Sequence, residues 1–147
     1  MRWFSAVLLM LIACDRSASR APLRIGAKSD DTAAIAEVVA TRLEQAGCVV
    51  ERKFRLGDSV AADRALRAGD IDAYVESHAA ALTQVLRKKA QAGPAAESAV
   101  RIAYVRENLV WAPPLGAGDH AVVFRKSIDD RCRAASRTFM ATGSMLR

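Results

Sequence analysis

Apolar positions along the chain switch repeatedly between a spacing of two and a spacing of three to four, and the switching predicts an alternating α/β order. A strand is expected near 22–26, followed by a helix over 31–46 that places Ile35, Val38, Val39, Arg42 and Leu43 at helical spacing. Val49, Val50, Phe54 and Leu56 carry the β-branched and aromatic bias of a second strand over 48–55. Gly57 then turns the chain, and Asp58 or Ser59 can cap a helix over 59–68 whose apolar face is Val60, Ala61, Leu66 and Ala68. Gly69-Asp70 stops that helix, and Ile71–Val75 reads as a short strand from which Glu76 and Ser77 emerge. A helix over 77–92 is broken at Gln91-Ala92-Gly93-Pro94 and another follows over 95–106. Two further strands are expected at 109–111 and 121–124. Such alternation predicts parallel strands with helical crossovers, and no internal repeat is visible.

The first residues change this picture from a plain globular domain to an exported one. Arg2 precedes an apolar run from Trp3 to Ala13 that is too short to span a bilayer, as in a signal peptide covering 1–13. It ends in Leu11-Ile12-Ala13-Cys14, which looks like a bacterial lipobox with Cys14 as the lipid-anchored residue and 14–21 as linker. Acyl chains supply about 0.8 kcal/mol per buried CH₂, enough to hold a receptor at a membrane surface. An ordinary signal with an incidental Cys is the alternative. The rest makes one domain, 22–126, with a tail over 127–147. Lys and Arg number 22 against 16 Asp and Glu, a net charge of +6. The basic residues are scattered, with Arg87-Lys88-Lys89 the only tight run and no interleaved aromatics, so a nucleic-acid partner is not indicated. Cys48 and Cys132 can pair in an oxidising compartment, although Cys48, at the entrance to an apolar strand, also reads as a small buried hydrophobe.

Strand ends in an α/β sheet gather ligand-binding groups. Lys28, Ser29, Asp58, Ser59, Ser77, His78, Asp119 and His120 are the polar residues placed to line a cleft there, with Tyr74 and Glu76 on the strand beside them. Each has a structural alternative: Ser29 and Asp58 as helix caps, Tyr74 as core like Trp111, Glu76 as the partner of a neighbouring Lys or Arg. His78 with Asp119-His120 offers imidazole and carboxylate groups. However, no His-x-x-x-His, Cys-x-x-Cys, Gly-x-Ser-x-Gly or Gly-rich phosphate loop is present, so neither a metal nor another cofactor is called for and catalysis is not expected.

Four ordered segments carry a resemblance. Leu23–Lys28, Leu56-Gly57, Ala65–Glu76 and Leu109–Gly116 together resemble the substrate-binding proteins of bacterial ABC importers for quaternary-amine osmoprotectants, the glycine betaine, choline and carnitine type, over roughly 22–126. The resemblance implies an α/β, periplasmic-binding-protein-like (type II) lobe, a mostly parallel sheet with helices on both faces. It also implies a solute-binding role with a small quaternary ammonium ligand, an ABC permease subunit as partner, and a place on the extracytoplasmic face of the membrane. In that family the lobe is the first of two, so 127–147 reads as a truncated start of the second lobe or a disordered tail. A lobe acting alone would offer half the contacts and no hinge closure. A quaternary ammonium cannot donate hydrogen bonds and is held by aromatic faces at about 0.5–2 kcal/mol each. Where the family has a further Tyr after Tyr-x-Glu, this chain has Ser77-His78-Ala79-Ala80. After Pro-Pro-Leu-Gly it has Ala117–Ala121 in place of Phe-Asn-Asn-Thr-Tyr. A degenerate lobe without ligand binding is the alternative function.

Overall fold

The computed structural model describes residues 21–145, so the signal expected over 1–13, the expected anchor Cys14 and most of the expected linker lie outside the described residues. Strands β1 (Leu23–Gly26), β2 (Val50–Lys53), β3 (Ala73–Ser77), β4 (Leu109–Trp111) and β5 (His120–Arg125) form one sheet in the order β2-β1-β3-β5-β4. β1 pairs in parallel with β2 and β3, whereas β5 runs antiparallel to both β3 and β4. Four strands therefore share one direction and β5 opposes them, reached by a loop over 112–119 from β4 instead of a helical crossover.

The sheet separates two cores. On one face, Ile25, Ala73, Val75, Val122 and Phe124 pack against α1 (Asp30–Gln45) and α5 (Ala135–Met145). On the other, Tyr74, Ala121 and Val123 pack with Leu66 of α2 (Ser59–Ala68) and with Val100 and Tyr104 of α4 (Gly93–Val105). Period-two alternation along β3 and β5 sends successive residues to opposite cores, which is why both strands are apolar almost throughout.

Three expectations shift. The buried stripe of α1 is Thr32, Ala36, Val39, Ala40 and Leu43, with Ile35 partly buried against the same core and Val38 39% exposed. The buried face of α2 is Ser59, Ala62, Asp63 and Leu66; Asp63 is tolerated inside because Arg67 pairs with it and the Tyr104 hydroxyl donates to it at 2.9 Å. The helix expected over 77–92 is only α3 (His78–Ala80) running into a π-helical turn (Ala81–Val85). Arg87 has φ 53 and the Lys88 amide donates back to the Leu82 carbonyl, closing the helix before a basic run that has nothing apolar to bury.

The tail is built into this lobe. A 3-10 turn (Lys126–Asp130) and α5 bury Ile128, Cys132, Ala135 and Phe139, and Phe139 tilts against Phe124 with ring centroids 4.8 Å apart. Cys132, in the tail expected over 127–147, is 4% exposed and bonded to Cys48, Cα to Cα 5.5 Å. The small-hydrophobe reading of Cys48 is thereby corrected: it is buried as half of a disulfide. Asp72, 1% exposed, ties the same segment down by accepting from Arg24 and, at 2.7 Å, from Arg131.

Candidate functional site

The order β2-β1-β3 means that the chain leaves β1 to one side and later returns to its other side, so the carboxyl ends of β1 and β3 flank a point where the winding reverses. Crevices at such points bind ligands in open α/β sheets. Lys28 follows β1 and Glu76 lies near the end of β3, and their side chains bridge the crevice with Nζ to Oε1 at 2.5 Å. Lys28 Nζ also donates to Ser59 Oγ at 3.0 Å, and the Ser77 amide donates to Glu76 Oε1 at 2.8 Å. Glu76 is fully buried and its Oε2 has no hydrogen-bond partner, whereas the Lys28 side chain is 14% exposed. Burial of a carboxylate is tolerable only with this pairing.

Thr32, which sequence reading passed over, orders the first loop. Its hydroxyl accepts from the amides of Lys28 and Ser29, both at 3.1 Å, so Ser29 sits as the cap of α1 with an exposed side chain. Asp58 caps α2 through the Ala61 amide at 2.8 Å, and Ser59, 2% exposed, faces Lys28. Ser77 in turn caps α3 through the Ala80 amide at 3.1 Å.

A second group adjoins the first across the β3–β5 ladder, where Ser77 is in register with His120. The His78 amide donates to the Asp119 carbonyl at 3.1 Å, and His120 Nδ1 lies 3.1 Å from the Asp119 carboxylate. The His78 ring is 4% exposed and stacks on Trp111 with centroids 4.9 Å apart, leaving Nε2 buried without a partner. Burial lowers the His78 pKa below its ordinary value, opposed by the nearby carboxylates of Glu97 and Asp119, so burial favours the neutral imidazole. His78 and Asp119 form one wall of a cleft of about 360 Å³ whose other wall is Gly93, Pro94 and Glu97 at the start of α4, with Pro114 beside it.

Tyr74 is set apart from these groups. It is fully buried on the α2–α4 face beside Tyr104, and desolvation raises its pKa well above the usual phenol value, so it is a neutral core residue. Trp111 and Tyr104 are equally enclosed, their rings in edge contact at 5.5 Å. Glu97 and the Trp111 stack were missed from sequence because each meets His78 only through tertiary packing. Among the described residues no cluster of three or more His, Cys, Asp or Glu could hold a metal ion, and no helix is long and apolar enough to cross a membrane.

The chain is similar in structure to apo YehZ from Escherichia coli, with a TM-score of 0.57 and 19% identity over 64% of this chain and 35% of that one. A second match, a TRAP periplasmic solute binding protein from Bordetella bronchiseptica, has a TM-score of 0.43 and 20% identity over 63% and 40% of the two chains. The chain thus spans well under half the length of either structure. No curated protein matches in sequence. The lobe has the α/β, solute-binding-protein fold, and the family model described as the substrate binding domain of ABC-type glycine betaine transport system matches residues 21–127, well over half of the chain. With that match laid over a crevice bridged by Lys28 and Glu76, the chain belongs to the family of substrate-binding domains of glycine betaine ABC transporters.

Proposed function

We propose that this protein is the solute-binding component of an ABC importer for glycine betaine or a related quaternary ammonium osmoprotectant. It acts by noncovalent binding and delivery to the permease subunit in the membrane. The observation that carries the reading is the crevice between β1 and β3, in a chain matched by the family model through residue 127. Lys28, Ser29, Asp58, Ser59, Glu76, Ser77, His78, Asp119 and His120 stand at or beside that crevice and are the proposed ligand contacts, with Tyr74 supporting them from the core. In this reading residues 1–13 are an export signal and Cys14 a lipid anchor that keeps the lobe on the extracytoplasmic face beside the permease.

A second reading is favoured by one observation. Tyr74, Tyr104, Trp111, Phe124 and Phe139 are all at most 2% exposed, so none of them offers an open face to a quaternary ammonium. A folded lobe that has lost its ligand and serves as an interaction module would look the same. Calorimetric titration of the full chain with glycine betaine, choline, carnitine and proline betaine separates the two. Saturable heat supports the receptor. No heat at millimolar ligand, from protein that unfolds cooperatively, overturns it in favour of the lobe without ligand.

A further inference from the structure

A larger cavity, of about 650 Å³, lies at the pole of the sheet opposite the Lys28–Glu76 crevice. It opens where α2 ends, where α4 turns into β4, and where β5 passes into the 3-10 turn. The antiparallel ladder pairs Leu109 with Arg125, and the Lys126 amide donates to the Asn108 carbonyl at 3.1 Å, so the two turns are fixed side by side. Leu66 and Leu109, both buried, line the inner surface.

The charges around this cavity do not balance. Its one carboxylate, Glu107, is paired with Arg67, which also holds Asp63. Arg125 and Lys126 are left without an ion pair, and the side chains of Asn108 and Ser127 make no hydrogen bond among the described residues. Arg125 is half-buried, and its Nη1 lies 2.5 Å from where a Cβ on Gly69 would stand. Its guanidinium is thus held against the glycine that ends α2, and less side-chain freedom remains to be lost on binding.

We propose that this cavity is a binding site for a small, multiply charged oxyanion of the phosphate class, distinct from the crevice that faces the transported solute. The Arg125 guanidinium offers a planar fork to two anion oxygens and Lys126 adds a point charge. Asn108 and Ser127 supply neutral donors at the rim. The leucine lining lowers the local dielectric, which strengthens these contacts relative to open surface. Concavity suits a soluble phosphate or phosphate ester better than a flat bilayer.

The test is a titration of ¹⁵N-labelled full chain, in a non-ionic detergent, with inorganic phosphate and glycerol phosphate at constant ionic strength set by sodium chloride. Saturable shifts of the Asn108 side-chain amide and the Lys126 and Ser127 amides are expected, with those of Ser77 and Asp119 unmoved. Lys126→Ala, at an exposed position where the fold does not depend on the side chain, should weaken binding about tenfold, and Arg125→Gln by at least as much. Shifts that never saturate, shifts reproduced by chloride alone, or affinity unchanged in both variants would overturn the site. So would binding confined to anionic vesicles with none to either free anion.

Discussion

Glu76 shows how one residue in this lobe can be read two ways. Sequence offered it as a ligand contact or an ion-pair partner; it is the partner of Lys28 and is closed off from solvent. Lys28→Met would leave a carboxylate buried without a counter-charge, and a loss of roughly 3–5 kcal/mol in urea unfolding at pH 7 is expected, part of it recovered when Glu76→Leu is added. His78 predicts a pH dependence. Its folded pKa lies below the unfolded value near 6.5, so the unfolded chain takes up the proton first and stability declines as pH falls through that value. Urea midpoints at pH 7.5 and pH 5.5 should differ less for His78→Phe, which keeps the stack on Trp111, than for the natural chain. The aromatic residues, by contrast, are legible as core from the apolar runs around them, and among the described residues all but Phe54 are buried.

At the next scale, sequence and structure agree closely at the ends of α2. Asp58 and Gly69 bracket α2 as their chemistry demands, the carboxylate accepting from Ala61 and the glycine taking φ 83. Asp58→Ala should cost about 1 kcal/mol, readable in the same unfolding assay. Gly69→Ala should cost at least as much, since the left-handed backbone disfavours a side chain and the Arg125 guanidinium occupies its space. Helix faces were harder to read. Hydrophobicity alone nominates Val38, yet Ala36, Val39 and Leu43 are what pack into the core on that face of the sheet, and Val38 is 39% exposed.

Across the whole molecule, a disulfide ties the segment after β5 to the segment before β2. Cys48 and Cys132 are 84 residues apart in sequence, and their bond fastens the start of β2 to the segment before α5. Reduction, or Cys132→Ser, should lower stability by about 2–4 kcal/mol. Because α5 covers β5 and α1 through Phe139, hydrogen exchange in α5 and in Phe124 should accelerate more than exchange in β1. The sheet itself places the crevice: with β1 between β2 and β3, Lys28 just past its carboxyl end reaches both Ser59 and Glu76.

Sequence by itself determined the alternation of elements, the caps, and the strand ends at which polar residues gather. Each of these depends on residues within a few positions of one another, so backbone period and turn chemistry suffice. Tertiary structure alone decided the antiparallel course of β5, the Lys28–Glu76 pair 48 residues apart, the Cys48–Cys132 bond and the stack of His78 on Trp111. These depend on which surfaces meet once the chain has turned back on itself, and local sequence carries no record of that distance.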